Sequence, residues 1–156
     1  MAQRIAPIEA SIHIDAPPAR VWQIVADQRR MNEFSPETYR QKFFGDEIGL
    51  GTRSINLNKR KGYFWPTASL ITEFVPEKRL AFYVYLAADT WSYDLVPDGD
   101  GTVVTERREL KGGKRSILSK LTATIGLGGI AEHDVELKAG METTLARIKA
   151  EAERTD

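Results

Sequence analysis

The sequence predicts an α+β fold: a curved antiparallel sheet of about six to seven strands wrapped around one long C-terminal helix, with short helices after the first strand. Three observations carry this. Ile8-Glu9-Ala10-Ser11-Ile12-His13-Ile14 sets apolar residues on every second position, the period of a strand with one buried face. Strand-like segments then follow one another between turn signals as far as Leu110. From Ile130 onward, Leu137, Met141, Leu145, Ile148 and Ala152 draw a single stripe on a long helix, with charges on its other sides. The sheet has one apolar face and the helix one apolar stripe, and each needs the other to leave water.

Taken in order, the first strand runs into Asp15-Ala16-Pro17-Pro18. Neither proline has an N–H to give a central ladder, but Pro18 suits the first turn of a helix on which Val21, Trp22 and Val25 share a face. Residues 27–36 read as a short helical or irregular connection closed by Ser35-Pro36. Residues 39–44 form a strand ended by Gly45. Residues 52–59 alternate, with Ile55 and Leu57 on one side, after a turn marked by Gly49 and Gly51. Two further strands, 64–75 and 80–86, are joined by Pro76-Glu77-Lys78-Arg79. Residues 90–96 and 102–110 pair through Pro97-Asp98-Gly99-Asp100-Gly101, the strongest turn signal of the chain. Gly112-Gly113 breaks the sheet, and Gly126-Leu127-Gly128-Gly129 reads as a hinge before the last helix.

Composition narrows the function. The 156 residues read as a single domain, residues 1–156, large enough to bury a real core. With 22 basic and 22 acidic residues the formal charge is zero, which removes the broad electrostatic drive of a nucleic-acid binder. No apolar run approaches the roughly 20 residues that span a bilayer, and no secretory signal is visible. The chain has no cysteine, so disulfide and thiol chemistry are excluded and the redox compartment is left open; a cytoplasmic protein is the default expectation. The two histidines, His13 and His133, have no ligand-spaced partners; no metal and no cofactor is expected. His13 falls out of phase with the apolar face of its strand, and His133 sits beside Glu132 and Asp134 near the start of the last helix.

In order, the opening Ala16-Pro17-Pro18…Val21-Trp22 string, the Val75-to-Phe82 turn, the hairpin from Asp98 to Glu106 and the Leu137-Lys138-Ala139-Gly140-Met141 helix resemble the START-like helix-grip superfamily, in its polyketide cyclase/dehydrase and lipid-transport branch. The resemblance covers nearly the full chain and specifies a fold far better than a reaction. It implies a cavity between sheet and terminal helix that holds a small hydrophobic molecule, such as a lipid, an isoprenoid or a polyketide, for transport or sequestration. The alternative it implies is cyclase/dehydratase chemistry in the same cavity. A third possibility is a protein-partner-binding module with a filled interior.

Candidate residues follow. Trp91, Tyr93 and Leu95 share one strand face, as do Leu80, Phe82, Val84 and Leu86. If these faces are concave, Trp91, Tyr93, Phe82, Leu95 and Phe74, with Leu137 and Met141 from the helix, enclose an apolar pocket with the Tyr93 hydroxyl as its polar handle. Glu106-Arg107-Arg108-Glu109 puts four charges in a row on a strand, so one pair, Glu106/Arg108 or Arg107/Glu109, must lean toward the helix unless the strand bulges or ends there. Glu106 and Tyr93 are therefore candidate acid/base groups; a buried carboxyl would have a raised pKa. No nucleophile motif such as Gly-x-Ser-x-Gly is present. Residues 111–127 carry Lys111, Lys114, Arg115 and Lys120 around a stripe of Ile117, Leu118, Leu121 and Ile125. Such a helix could touch an anionic membrane or a carrier protein transiently, or simply close one end of the core. The oligomeric state is left open.

Overall fold

The computed structural model describes residues 5–113 and 130–154, with side chains of the last helix from Asp134 onward. The basic stripe beyond residue 113, the Gly126–Gly129 hinge and the His133 side chain lie outside the described residues. The elements run β1 (Ile8–Ile14), α1 (Pro18–Ala26), a 3-10 turn (Gln28–Arg30), α2 (Met31–Phe34), β2 (Thr38–Phe43), β3 (Arg53–Arg60), β4 (Tyr63–Val75), β5 (Arg79–Val84), β6 (Asp89–Asp98), β7 (Gly101–Leu110) and α3 (Ile130–Ala152). All seven strands form one antiparallel sheet in the order β1-β7-β6-β5-β4-β3-β2. This is the helix-grip arrangement expected from the sequence.

Each expected strand is found, as are the helix at Pro18 and the long terminal helix, with shifted ends. α1 starts at Pro18, whose ring is tolerated where no intrahelical N–H is needed. β5 stops at Val84, two residues short of the expected end, because the chain turns there: the Ala88 N–H bonds the Tyr85 carbonyl and Ala88 takes a positive φ of 55°. The β6–β7 hairpin is tighter than expected, with Asp98 paired to Gly101 across two residues. Gly99 holds a φ of 60° there, which glycine adopts without strain.

The concave face divides into two halves. At the β1–β7–β6 end, Ile14, Val104 and Leu95 pack against Val21, Trp22 and Val25 of α1 and against Leu145, Ile148 and Ala152 of α3. Alternation puts these strand residues on one face, and helical spacing puts their partners on two stripes that meet it. Phe74 belongs here: it meets Trp22 edge to face at 5.1 Å. At the β2–β4 end no such filling occurs, and the space under the sheet is left to a cavity.

The seam between β1 and β7 is tight at one point. A methyl group at Gly101 would stand 2.6 Å from the Ile14 carbonyl oxygen and 2.8 Å from His13 Nε2. The backbone contact cannot yield without moving the pairing. Gly101→Ala is therefore expected to destabilise the fold by about 1–3 kcal/mol, read as a lower urea midpoint; an unchanged midpoint would show that the seam relaxes freely. His13 itself is partly exposed and lies near Asp15 and Asp98.

Candidate functional site

The cavity begins on β6 and β7. Tyr93 pairs with Glu106 and Trp91 with Arg108, so all four side chains share the inner face. The run of four charges resolves accordingly. Glu106 and Arg108 point inward, each only 3% exposed, while Arg107 points outward and faces Glu9 and Glu109. The Tyr93 hydroxyl donates to Glu106 Oε2 at 3.1 Å, with Met31 Sδ 3.7 Å away. Glu106 Oε1 is buried and meets no hydrogen-bond partner among the described residues.

Burial pushes the Glu106 carboxyl up to about 8, and the Tyr93 hydrogen bond offsets part of that rise. Burial, and then the neighbouring carboxyl, pushes the Tyr93 hydroxyl well above its usual range. At neutral pH the pair therefore holds both protons: a phenol donating to a carboxylic acid whose second oxygen is unmet.

Arg108 ties this wall to the terminal helix. Its Nη2 donates to Asp134 Oδ1 at 3.3 Å, and Nη1 lies 4.0 Å from Asp89 Oδ2. On the other side of the helix-covered space, Arg60 bonds Glu136, and Lys61 Nζ reaches Glu136 Oε1 at 3.1 Å. These two cations, Arg60 foremost, hold the Glu136 carboxyl at about 2. The helix is thus ionically attached to β7 and to β3 above the cavity.

The cavity has about 160 Å³ of free volume. Of the pocket residues expected from sequence, Trp91, Tyr93, Phe82 and Leu137 line it, as does Glu106. Leu95 and Phe74 pack in the filled half of the concave face, and Met141 is fully buried on α3. The lining is also far more polar than the aromatic strands imply. Gln41, Asn56, Asn58, Thr67 and Ser69 form its β2–β4 wall, with Gln28 and Asp89 elsewhere.

That wall was missed because the alternation of β3 invites the opposite orientation. Ile55 and Leu57 do share a side, but it is the outer one, and Ile55 is 52% exposed. Ser54, Asn56 and Asn58 point inward, opposite Ser69, Thr67 and Trp65 of β4. The available signal was the matching run of small polar residues at alternate positions on two consecutive strands.

Among the described residues, no cluster of three or more His, Asp or Glu could hold a metal ion. No described helix is long and apolar enough to cross a membrane.

A family model described as polyketide cyclase/dehydrase and lipid transport matches residues 6–153. The chain belongs to this family. The polyketide cyclase/dehydrase fold is shared with solved structures of low sequence identity. The Polyketide_cyc-like protein Cgl2372 from Corynebacterium glutamicum is 23% identical, with 98% of this chain and 94% of that one covered at a TM-score of 0.61. The Zhui aromatase/cyclase from Streptomyces sp. R1128 is 16% identical, with 96% and 94% covered at a TM-score of 0.65. The di-domain aromatase/cyclase BexL of the BE-7585A biosynthetic pathway is 20% identical at a TM-score of 0.71; 97% of this chain covers 51% of that one. No curated protein matches. At these identities the neighbours speak for the cyclase/dehydrase fold, and the reaction must be argued from the cavity itself.

Proposed function

We propose that this chain binds a small, oxygen-bearing organic molecule in the cavity and transfers a proton to or from it through Glu106, in a ring-closing or dehydrating reaction. The observation that carries this reading is the Glu106 carboxyl: buried on the cavity wall, oriented through Oε2 by Tyr93, and unmet at Oε1. A carboxyl with a pKa of about 8 is mostly protonated at neutral pH and close enough to titration to act in both directions.

As an acid, Glu106 protonates a carbonyl oxygen while an enol carbon attacks the carbonyl carbon, or protonates a hydroxyl as it leaves. The resulting carboxylate then takes a proton from the neighbouring carbon. In the dehydrating case the sum is one water lost and one double bond formed, with Glu106 restored. Tyr93 steadies the carboxylate by the hydrogen bond it already makes. That two structural neighbours bear the name aromatase/cyclase agrees with this chemistry. Carriage of a plain hydrocarbon lipid, the other expectation from the sequence, fits the lining less well. A hydrocarbon would offer no hydrogen bond to Asn58, Gln41 or Glu106.

The test starts with native mass spectrometry of the purified protein and denaturing extraction of whatever it retains. With the recovered compound class as substrate, Glu106→Gln should lower kcat by at least about a hundredfold while binding changes little. Wild-type kcat should fall as pH rises through about 8, where Glu106 loses its proton. An unaltered rate in Glu106→Gln would remove proton transfer by this group and leave ligand carriage. A clean apoprotein that also ignores a panel of apolar and phenolic probes would favour the protein-partner reading.

A further inference from the structure

The cavity has a second wall that proton transfer at Glu106 does not use. On β2, β3 and β4 the inward polar side chains bond one another and are thereby fixed in orientation. The hydroxyls of Ser54 and Ser69 meet at 2.6 Å. Asn56 Nδ2 donates to Thr67 Oγ1 at 3.2 Å and to Ser69 Oγ at 3.3 Å. Asn56 Oδ1 accepts from Ser54 Oγ at 3.0 Å and from Gln41 Nε2 at 3.1 Å. Asn58 Nδ2 donates to the Trp65 carbonyl at 3.3 Å and to Thr67 Oγ1 at 3.1 Å.

The consequence falls on Gln41. Its amide nitrogen is committed to Asn56, and its Oε1 is buried without a partner among the described residues. Flipping the amide would not help, because it would set two acceptor oxygens, Gln41 Oε1 and Asn56 Oδ1, against each other. A buried acceptor held this way costs free energy until something donates to it.

Charge narrows the donor. Among the described lining residues Arg108 is the one cation, and it already faces Asp89 and Asp134; Glu37, Asp89 and Glu106 contribute carboxyl groups. Arg108 Nε is itself buried without a partner among the described residues, but a carboxylate or phosphate would meet a guanidinium that already faces two carboxylates in a lining with more acidic groups than basic ones. Phe82, Trp91 and Trp65 supply flat apolar surface beside the polar wall.

We infer that the cavity selects a neutral ligand that combines a planar ring with a hydroxyl group, and that the hydroxyl donates to Gln41 Oε1, making Gln41 a specificity-determining residue. The inference rests on the reading of this cavity as the ligand site. It excludes fatty acids and phospholipids as the preferred cargo.

Isothermal titration with naphthol, naphthalene and naphthoate separates the two readings. Wild-type protein should bind naphthol about tenfold more tightly than naphthalene, the worth of one well-made hydrogen bond, and naphthoate most weakly. Gln41→Met, similar in volume, should bind naphthol and naphthalene equally. Equal wild-type affinities for naphthol and naphthalene, or a preference that survives in Gln41→Met, would overturn the inference while the ligand site stands. Tightest binding of naphthoate would overturn the requirement for neutrality. Failure of every probe to bind the wild type would overturn the ligand site itself, and this inference with it. The wild-type comparison decides the matter even if a Gln41 variant does not fold.

Discussion

Glu106→Gln should make the protein more stable at pH 8, by on the order of 5 kcal/mol, although it removes a residue of the proposed catalytic machinery. The direction follows from linkage. Burial raises the Glu106 pKa from 4.5 to about 8. Between those values the folded state keeps a proton that the unfolded chain has released. Unfolding then releases a proton, so stability falls with rising pH across this window. The contribution is fully present below pH 4.5, declines through the window, and is gone once pH passes about 8. Glutamine carries no titrating group and keeps an oxygen to accept from Tyr93. Chemical denaturation at several pH values should show the two proteins converging near pH 4.5 and separating steadily toward pH 8. Parallel curves would mean that Glu106 is not desolvated in the folded state. The same cost, borne by the wild type, is what a residue kept for chemistry instead of stability is expected to show.

Arg108→Met should act in the opposite sense, lowering stability by about 3–5 kcal/mol. The guanidinium is as buried as Glu106 and faces Asp89 on β6, itself buried, and Asp134 on the helix. Methionine keeps much of the volume but leaves a buried carboxylate without the guanidinium opposite it. Adding Asp89→Asn to Arg108→Met should recover part of the loss, because it removes one of the two carboxylates that the guanidinium faces. Denaturant midpoints of the two single variants and the double variant measure this directly. A loss below about 1 kcal/mol in Arg108→Met would show that Asp89 and Asp134 reach water.

These residues also mark how far the sequence could be read. The architecture was legible because its signals are local and repeated: alternation in Ile8–Ile14, Pro18 at a helix start, Asp98-Gly99-Asp100-Gly101 at a hairpin, and the stripe through Leu137, Met141, Leu145 and Ile148. The inward pair on β7 was half legible, since four successive charges must split between two faces, though nothing in the string says which pair is buried. The polar wall was not legible. Periodicity assigns Ile55 and Leu57 to one face and Ser54, Asn56 and Asn58 to the other, but whether a face looks inward depends on what lies across the sheet. Over a packed helix the apolar face turns in; over a cavity the preference can reverse. Leu95 is in phase with Trp91 and Tyr93, yet it lies farther along β6, where α1 and α3 fill the space. Distance along the strand, which no periodicity encodes, separates pocket from core.

The unequal filling of the concave face means that folding and recognition draw on different inventories of residues. Substitutions at Ile14, Val104, Leu145 or Ile148 jeopardise the whole molecule, whereas those at Gln41, Asn58 or Thr67 change only the cavity wall. With the cavity as the proposed ligand site, a lineage could exchange one ligand for another by changing a few side chains on three neighbouring strands while its scaffold is inherited intact.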